Sequence, residues 1–244
     1  MDQTAGTKVQ GVRQNRTVVR HMAYWITAGA GGLFSYLFFQ RCSYERRIGN
    51  GKEEGKRFLR ESIPDEKNKI MALAISLAAA FLLTRLFFAY GYLPTKALKY
   101  LLLIGGLIPI AWEDWLEKTI PNRWLVRLLC VRAVLIGIEA VLYPAAFTDN
   151  LIFTGIGGAV SGLVMFAGYV VSRHQIGAGD VKLLAVIGMY LGAALNYWVM
   201  VAALVIAAIY GGARVFLKRS GMRDEIAFAP FIAAGVILLL ALGF

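Results

Sequence analysis

The sequence is poor in the residues that bind metal ions or form disulfides. Its 244 residues include two cysteines, Cys42 and Cys130, and two histidines, His21 and His174. The cysteines lie far apart and form no CxxC pair, and no combination of these four residues has the spacing of a zinc site. The sequence therefore predicts no structural metal and indicates no cofactor.

Charged residues are also scarce, at 17% of the chain, whereas hydrophobic residues reach 58%. The apolar residues occur in blocks of about 16–22 residues, enough for a helix to cross a bilayer of about 30 Å. Backbone groups in lipid must be satisfied within each segment, which favours helices. The blocks predict an all-α, polytopic membrane protein with about eight transmembrane helices, over residues 22–39, 70–90, 98–113, 123–145, 151–172, 181–195, 196–217 and 226–243. The break between the sixth and seventh spans rests on Asn196.

The net charge of +11 does not require a nucleic-acid partner. Nine Lys and Arg residues fall within 41–69, and further basic residues fall in every second loop after it. Such residues collect in the cytoplasmic loops of membrane proteins, where they face anionic lipid. The pattern predicts membrane lipids, not nucleic acid, as partners, and eight spans with both chain ends outside. Four basic residues in the N-terminal tail oppose this orientation for the first span, which we interpret as an anchor and not a removed signal peptide.

The stretch 41–69 is the one sizeable polar insert between the predicted spans. It is too short to fold alone without a metal or disulfides. We therefore divide the chain into 1–69, with the N-terminal tail, first anchor and basic cytoplasmic loop, and 70–244, a membrane-embedded domain.

Acidic residues at membrane depth are costly, so each requires an explanation. Glu139 lies seven residues after Arg132 on one helix face, about 10 Å along the axis, so we expect no direct pair and interpret both as packing or snorkelling residues. Asp114 ends the third span beside Trp112 and Trp115, which alone is typical of an interfacial loop. The full set of candidates is Glu113, Asp114, Glu117, Glu139 and Asp180.

Asp180 precedes an apolar run and follows Gly177-Ala178-Gly179, which alone is typical of a helix N-cap. The charge pattern, however, places both Asp114 and Asp180 at the cytoplasmic ends of their spans. Two carboxylates a few Å apart cannot both ionise, so such a pair shares one proton. That state suits peptide hydrolysis, because one carboxylate can deprotonate water while the other polarises the scissile carbonyl. Glycines would let a substrate backbone approach the aspartate closely.

Both aspartates lie in motifs that resemble those of a known family. The GxGD motif of intramembrane aspartyl proteases is matched by Gly177-Ala178-Gly179-Asp180. The continuation Val181-Lys182-Leu183 resembles the type IV prepilin peptidase family in particular. So does Asp114 with Ile120-Pro121-Asn122 downstream. The segment Phe228-Ala229-Pro230-Phe231 resembles a late element of that family. The family often has a proline where this chain has Ala227. The resemblance covers about residues 98–240.

The resemblance implies an aspartic-type endopeptidase of a bacterial-type inner membrane. It would cleave the basic leader of prepilins or pseudopilins near the cytoplasmic face. The resemblance also implies that Asp114 and Asp180 are the catalytic pair. It implies that five further residues bind the substrate or support the motifs, namely Gly177, Gly179, Lys182, Pro121 and Asn122.

One departure from the family concerns the insert after the first span. Two-function members carry paired CxxC motifs and an N-methyltransferase activity there, whereas the stretch 41–69 holds the lone Cys42. We therefore expect neither zinc binding nor methyl transfer.

Three other functions fit part of the pattern. A small ion-coupled transporter would use intramembrane acids to relay ions, but would hold them near the middle of the bilayer. A GxGD protease could instead trim signal-peptide remnants, although the Ile120-Pro121-Asn122 context argues against it. An inactive structural subunit of a secretion apparatus is the third. The sequence carries no signal for the oligomeric state.

Overall fold

The computed structural model describes residues 26–37, 79–172, 176–217 and 226–243. No strand occurs in these ranges, which confirms the predicted all-α fold. The predicted insert 41–69 and the boundary at residue 69 lie outside the described residues. The helices are α1 (Ile26–Leu37), α2 (Ala79–Ala89), α3 (Pro94–Glu117), α4 (Asn122–Leu142), α5 (Phe147–Val171, preceded by the 3₁₀ turn Pro144–Ala146), α6 (Ala178–Leu191), α7 (Ala193–Phe216) and α8 (Ala229–Ala241).

Three of these segments are long and apolar enough to cross a membrane, namely Pro94–Glu117, Pro144–Val171 and Ala193–Arg214. The helices α1, α2 and α8 are apolar but shorter. Large apolar side chains remain on the outside of the bundle, as at Val171 and Phe216, which are 82% and 88% exposed. Such an exterior is stable in lipid, and the prediction of a polytopic membrane protein is confirmed.

Helix α3 is longer than the predicted span 98–113. It begins at Pro94, whose missing N–H costs nothing at a helix start, and ends where Lys118 adopts a left-handed conformation with φ of 52°. Asp114 therefore lies in the last turn of α3 and is 4% exposed. The interpretation of Asp114 as part of an interfacial loop is wrong, although the neighbouring Trp112 and Trp115 remain about half exposed.

The predicted break between the sixth and seventh spans exists, but four residues earlier than expected. Helix α6 ends at Leu191 and α7 begins at Ala193, because Gly192 adopts a φ of +82° that side chains rarely tolerate. Asn196 lies inside α7 instead. Its Nδ2 donates to the backbone oxygen of Leu184, 2.9 Å away, so this polar residue ties the two helices together.

Glycines allow α5 and α6 to pack with their backbones in contact. A Cβ at Gly157 would lie 2.2 Å from the Gly188 oxygen, and one at Gly158 would lie 2.6 Å from the Met189 side chain. A Cβ at Gly162 would be 3.2 Å from Ala185. Small residues at such an interface let two helices approach closely within a membrane.

The expectation that Arg132 and Glu139 would not pair is wrong. The guanidinium of Arg132 lies 3.1 Å from the Glu139 carboxylate and also donates to Thr154 of α5, at 2.6 Å, and to the Met189 oxygen of α6, at 3.1 Å. Both side chains are long enough to close the axial gap along α4. Because no water is nearby, keeping the two charges apart would cost far more free energy than extending the two side chains does.

Candidate active site

Asp114 and Asp180 line the same cavity, which has a volume of about 740 Å³. Asp114 comes from the last turn of α3 and Asp180 from the first turn of α6. The two carboxyl groups are close enough to interact electrostatically. Chain segments 66 residues apart thus place two acids of the same kind around one space that a substrate could enter.

The Asp114 carboxylate is held by the start of α8. Its Oδ2 accepts a hydrogen bond from the backbone N–H of Ala229, 2.9 Å away. The first N–H groups of a helix have no partner within the helix and carry partial positive charge, so they suit a buried carboxylate. The late element around Pro230 therefore lies at the site, where the sequence showed only its likeness to a motif.

Asp180 is the third residue of α6, and Gly177 occupies the N-cap position. The interpretation of Asp180 as the N-cap residue is therefore wrong, because Asp180 lies three residues after the N-cap. Its carboxylate instead interacts with the backbone N–H of Gly177, as the third-residue side chain does in a capping box. This contact fixes the carboxylate beside the turn that leads into α6.

The two motif glycines make different contacts. A Cβ at Gly177 would lie 3.0 Å from the Asp180 carboxylate oxygen Oδ2, and Gly177 itself lines the cavity. A Cβ at Gly179 would lie 3.0 Å from the Cβ of Ile120. Close approach of a substrate thus remains a prediction for Gly177, whereas Gly179 lets the two aspartate motifs pack together.

A hydrogen bond between side chains joins the same two motifs on the exposed side. Lys182 Nζ donates to Asn122 Oδ1 at 3.1 Å, linking the second turn of α6 to the start of α4. Pro121 precedes that start in an extended conformation, with φ of −68° and ψ of 133°. These three residues, carried over from the family resemblance, therefore lie at the junction of the motifs and not on the cavity wall.

Glu113, next to Asp114, is 1% exposed and anchors the end of α3 to α4. Its carboxylate accepts a hydrogen bond from Trp124 Nε1 and forms an ion pair with Arg123 at 2.6 Å. The acid that the sequence left without a role thus positions the helix turn that carries Asp114.

Sequence reasoning missed several residues of the cavity. Lys118 follows Asp114 by one helical turn, a spacing that could have indicated it, and its side chain lines the cavity. The opposite wall is apolar and is formed by Met165 of α5 with Met200 and Leu204 of α7. No local pattern marks these three residues, because only the packing of α5 against α7 brings them to the site.

No group of three or more His, Cys, Asp or Glu side chains that could hold a metal ion occurs in the part of the chain that the structure describes. The stretch 41–69 and both histidines lie outside it. The absence of zinc therefore stays a prediction.

Fold and site together define a class, the polytopic helical membrane proteins with two aspartates facing one cavity. Residues 101–212, which include both aspartates, match the family described as "Type IV leader peptidase family". The chain is also 35% identical over 136 residues to "Prepilin leader peptidase/N-methyltransferase" of Bacillus subtilis (strain 168). That alignment covers 55% of this chain and 52% of the relative, so the chain spans about half the relative's length. These matches confirm the family resemblance that the two motifs indicated. No solved structure is significantly similar to this chain.

Proposed function

We propose that this protein is an aspartic-type endopeptidase that removes the basic leader peptide from prepilins or pseudopilins. It would act at the cytoplasmic face of a bacterial-type inner membrane. The observation that carries the proposal is the shared cavity of Asp114 and Asp180 within the segment that matches the leader peptidase family.

The proposed mechanism needs only the two carboxyl groups and a water molecule. With one proton shared between them, the ionised carboxylate takes a proton from water, and the resulting nucleophile attacks the scissile carbonyl. The protonated carboxyl donates to the carbonyl oxygen as charge develops there. The first carboxyl then gives the proton it took from water to the peptide nitrogen, the C–N bond breaks, and the hydroxyl proton returns to the second carboxylate as the product carbonyl forms again. The backbone N–H of Ala229 and that of Gly177 orient the two groups throughout.

The location of the acids favours a peptidase over an ion-coupled transporter. Asp114 lies three residues before the end of α3, and Asp180 lies three residues after the N-cap of α6. The charge pattern assigns both helix ends to the cytoplasmic edge of the membrane, whereas transporter acids are expected near the middle of the bilayer. A polypeptide whose leader stays in the aqueous phase could reach helix ends at the membrane edge.

The test is cleavage of a prepilin by purified protein reconstituted in lipid. Asp114→Asn and Asp180→Asn should each lower the cleavage rate by at least about 10³-fold, because an amide can neither take nor give the proton and the pair acts as one unit. Glu117→Gln is the matched control. It changes an exposed acid three residues after Asp114 in the same way and should leave cleavage unchanged.

Normal leader processing by either Asn variant, at equal membrane levels, would remove that aspartate from the mechanism. A wild-type protein that cleaves no prepilin would overturn the proposed substrate. Cleavage of signal-peptide remnants under the same conditions would then favour the other GxGD activity.

A further inference from the structure

A lysine without a polar partner is buried near the start of α3. Lys99 is 9% exposed and forms no hydrogen bond or ion pair with any described residue. Its Nζ lies 5.3 Å from the centre of the Tyr100 ring and 5.9 Å from that of Phe153, on α5. Aromatic rings attract a cation but carry no net charge, so they offset only part of the cost of taking the ammonium group out of water.

The charges around Lys99 add to this cost, because cations outnumber acids there. Lys96, Arg132 and Glu139 are close enough to interact electrostatically with Lys99. Glu139 is the only carboxylate among these described neighbours, and it already forms a 3.1 Å ion pair with Arg132. Lys96 and Lys99 lie three residues apart on one face of α3, where like charges repel. The cluster therefore lacks a negative charge.

The cluster lies near the membrane surface opposite the two aspartates. Lys99 precedes Asp114 by 15 residues of one helix, which corresponds to about 22 Å along the axis. Lys96, in the first turn of α3, is exposed, and its Nζ lies 5.9 Å from the centre of the same Tyr100 ring. Phe153, beside Lys99, is 48% exposed. An anion could therefore approach Lys99 from outside the bundle, past Lys96 and Phe153.

We propose that Lys96 and Lys99 bind the phosphate group of an anionic phospholipid, at a site separate from the proposed peptidase centre. Phosphate supplies the missing negative charge and accepts strong hydrogen bonds from ammonium groups. Lys99 lies about 8 Å along α3 from its first residue, close to the depth of lipid headgroups. A phospholipid fits better than a free phosphate ion, because the adjoining surface of α5, with Ile152 and Ile156 52% and 54% exposed, can pack against acyl chains.

Thermal unfolding in a neutral maltoside detergent tests the site, with phosphatidylglycerol as the probe. The lipid should raise the Tm of the wild-type protein, and the same effect should require at least about tenfold more lipid for Lys99→Met. Without lipid, Lys99→Met should unfold at the same or a higher temperature than wild type, because it removes an unpaired buried charge. A lower Tm without lipid, together with an unchanged response to the lipid, would show a merely structural lysine and overturn the inference.

Two further variants separate this site from a general attraction of anionic lipid to a basic protein. Lys118→Met removes the same charge just beyond the opposite end of α3 and should leave the lipid response unchanged. Lys96→Met changes an exposed residue and should weaken the response about fivefold. Equal weakening by Lys118→Met and Lys99→Met, or a normal response of both Lys96→Met and Lys99→Met, would overturn the inference.

Three other probes identify the part of the lipid that binds. Diacylglycerol lacks the phosphate, and phosphatidylcholine has a phosphate but no net charge, so neither should raise the Tm at the concentration that suffices for phosphatidylglycerol. Inorganic phosphate lacks acyl chains and should act only at a far higher concentration. Equal stabilisation by diacylglycerol would overturn the phosphate site. Equal stabilisation by inorganic phosphate would overturn the phospholipid as the source and assign the site to a soluble anion.

Discussion

Asp114 and Asp180 are both fixed by backbone N–H groups, but from different sources. Ala229 supplies the N–H for Asp114 from a helix that begins 115 residues further along the chain, whereas Gly177 supplies the one for Asp180 from the same turn. The environment of Asp180 is therefore local, and its motif is compact in sequence. The environment of Asp114 depends on tertiary packing, which explains why its motif is harder to recognise.

At the same scale, we expect Glu113 to be essential for the position of Asp114. Glu113→Gln would keep the shape but lose the charge that pairs with Arg123 and strengthens the bond from Trp124. The change should lower the free energy of unfolding by about 1–3 kcal/mol. It should also reduce prepilin cleavage while leaving KM nearly unchanged. Thermal unfolding in detergent and steady-state kinetics are the measurements, and equal stability of Glu113→Gln and Glu117→Gln would contradict this role.

At the scale of elements, the apolar runs predicted the order of the helices within the described ranges. They could not place the turn at Gly192, because a left-handed glycine and the polar Asn196 are equally plausible breaks in an apolar run. They also could not show the Arg132–Glu139 pair, which depends on side-chain conformation and on the partners that α5 and α6 supply. The aspartate motifs were visible because each is local, whereas the apolar wall with Met165 and Met200 exists only once α5 and α7 pack.

The contact between α5 and α6 leaves no space for a side chain at Gly157. Gly157→Leu should prevent accumulation of folded protein, because the obstructing atom is the backbone oxygen of Gly188, which cannot move aside. Gly155→Ala is the control on the same helix. It meets nothing within 4 Å and should be neutral or more stable by up to about 1 kcal/mol.

Membrane-fraction yield and monodispersity in detergent would measure both variants. Normal yield and thermal stability of Gly157→Leu would show that α5 and α6 do not pack as described.

For the whole molecule, the cysteine content predicts that this chain does not have the methyl-transfer function that the relative's name includes. Purified protein of this sequence should contain no stoichiometric zinc and transfer no methyl group from S-adenosylmethionine to a cleaved pilin. The reason is the lack of any CxxC in 41–69. Metal analysis and a radiolabelled methylation assay are the measurements. One zinc ion per chain, or label in the cleaved product, would refute the prediction.

The buried ion pair of α4 also bears on the order in which the protein is made. An arginine at the centre of a helix resists transfer into lipid by about 2.5–3.5 kcal/mol, and Glu139 adds a second charge to α4. Thr154 and Met189, which accept hydrogen bonds from the Arg132 guanidinium, are nevertheless synthesised later. We expect α4 alone to integrate poorly when expressed as a single segment in microsomes, as measured by glycosylation of a reporter. Appending α5 and α6 should raise its integration, and Thr154→Val should reduce that gain. Helix α4 would thus wait beside the translocation channel until the helices that satisfy its arginine emerge from the ribosome.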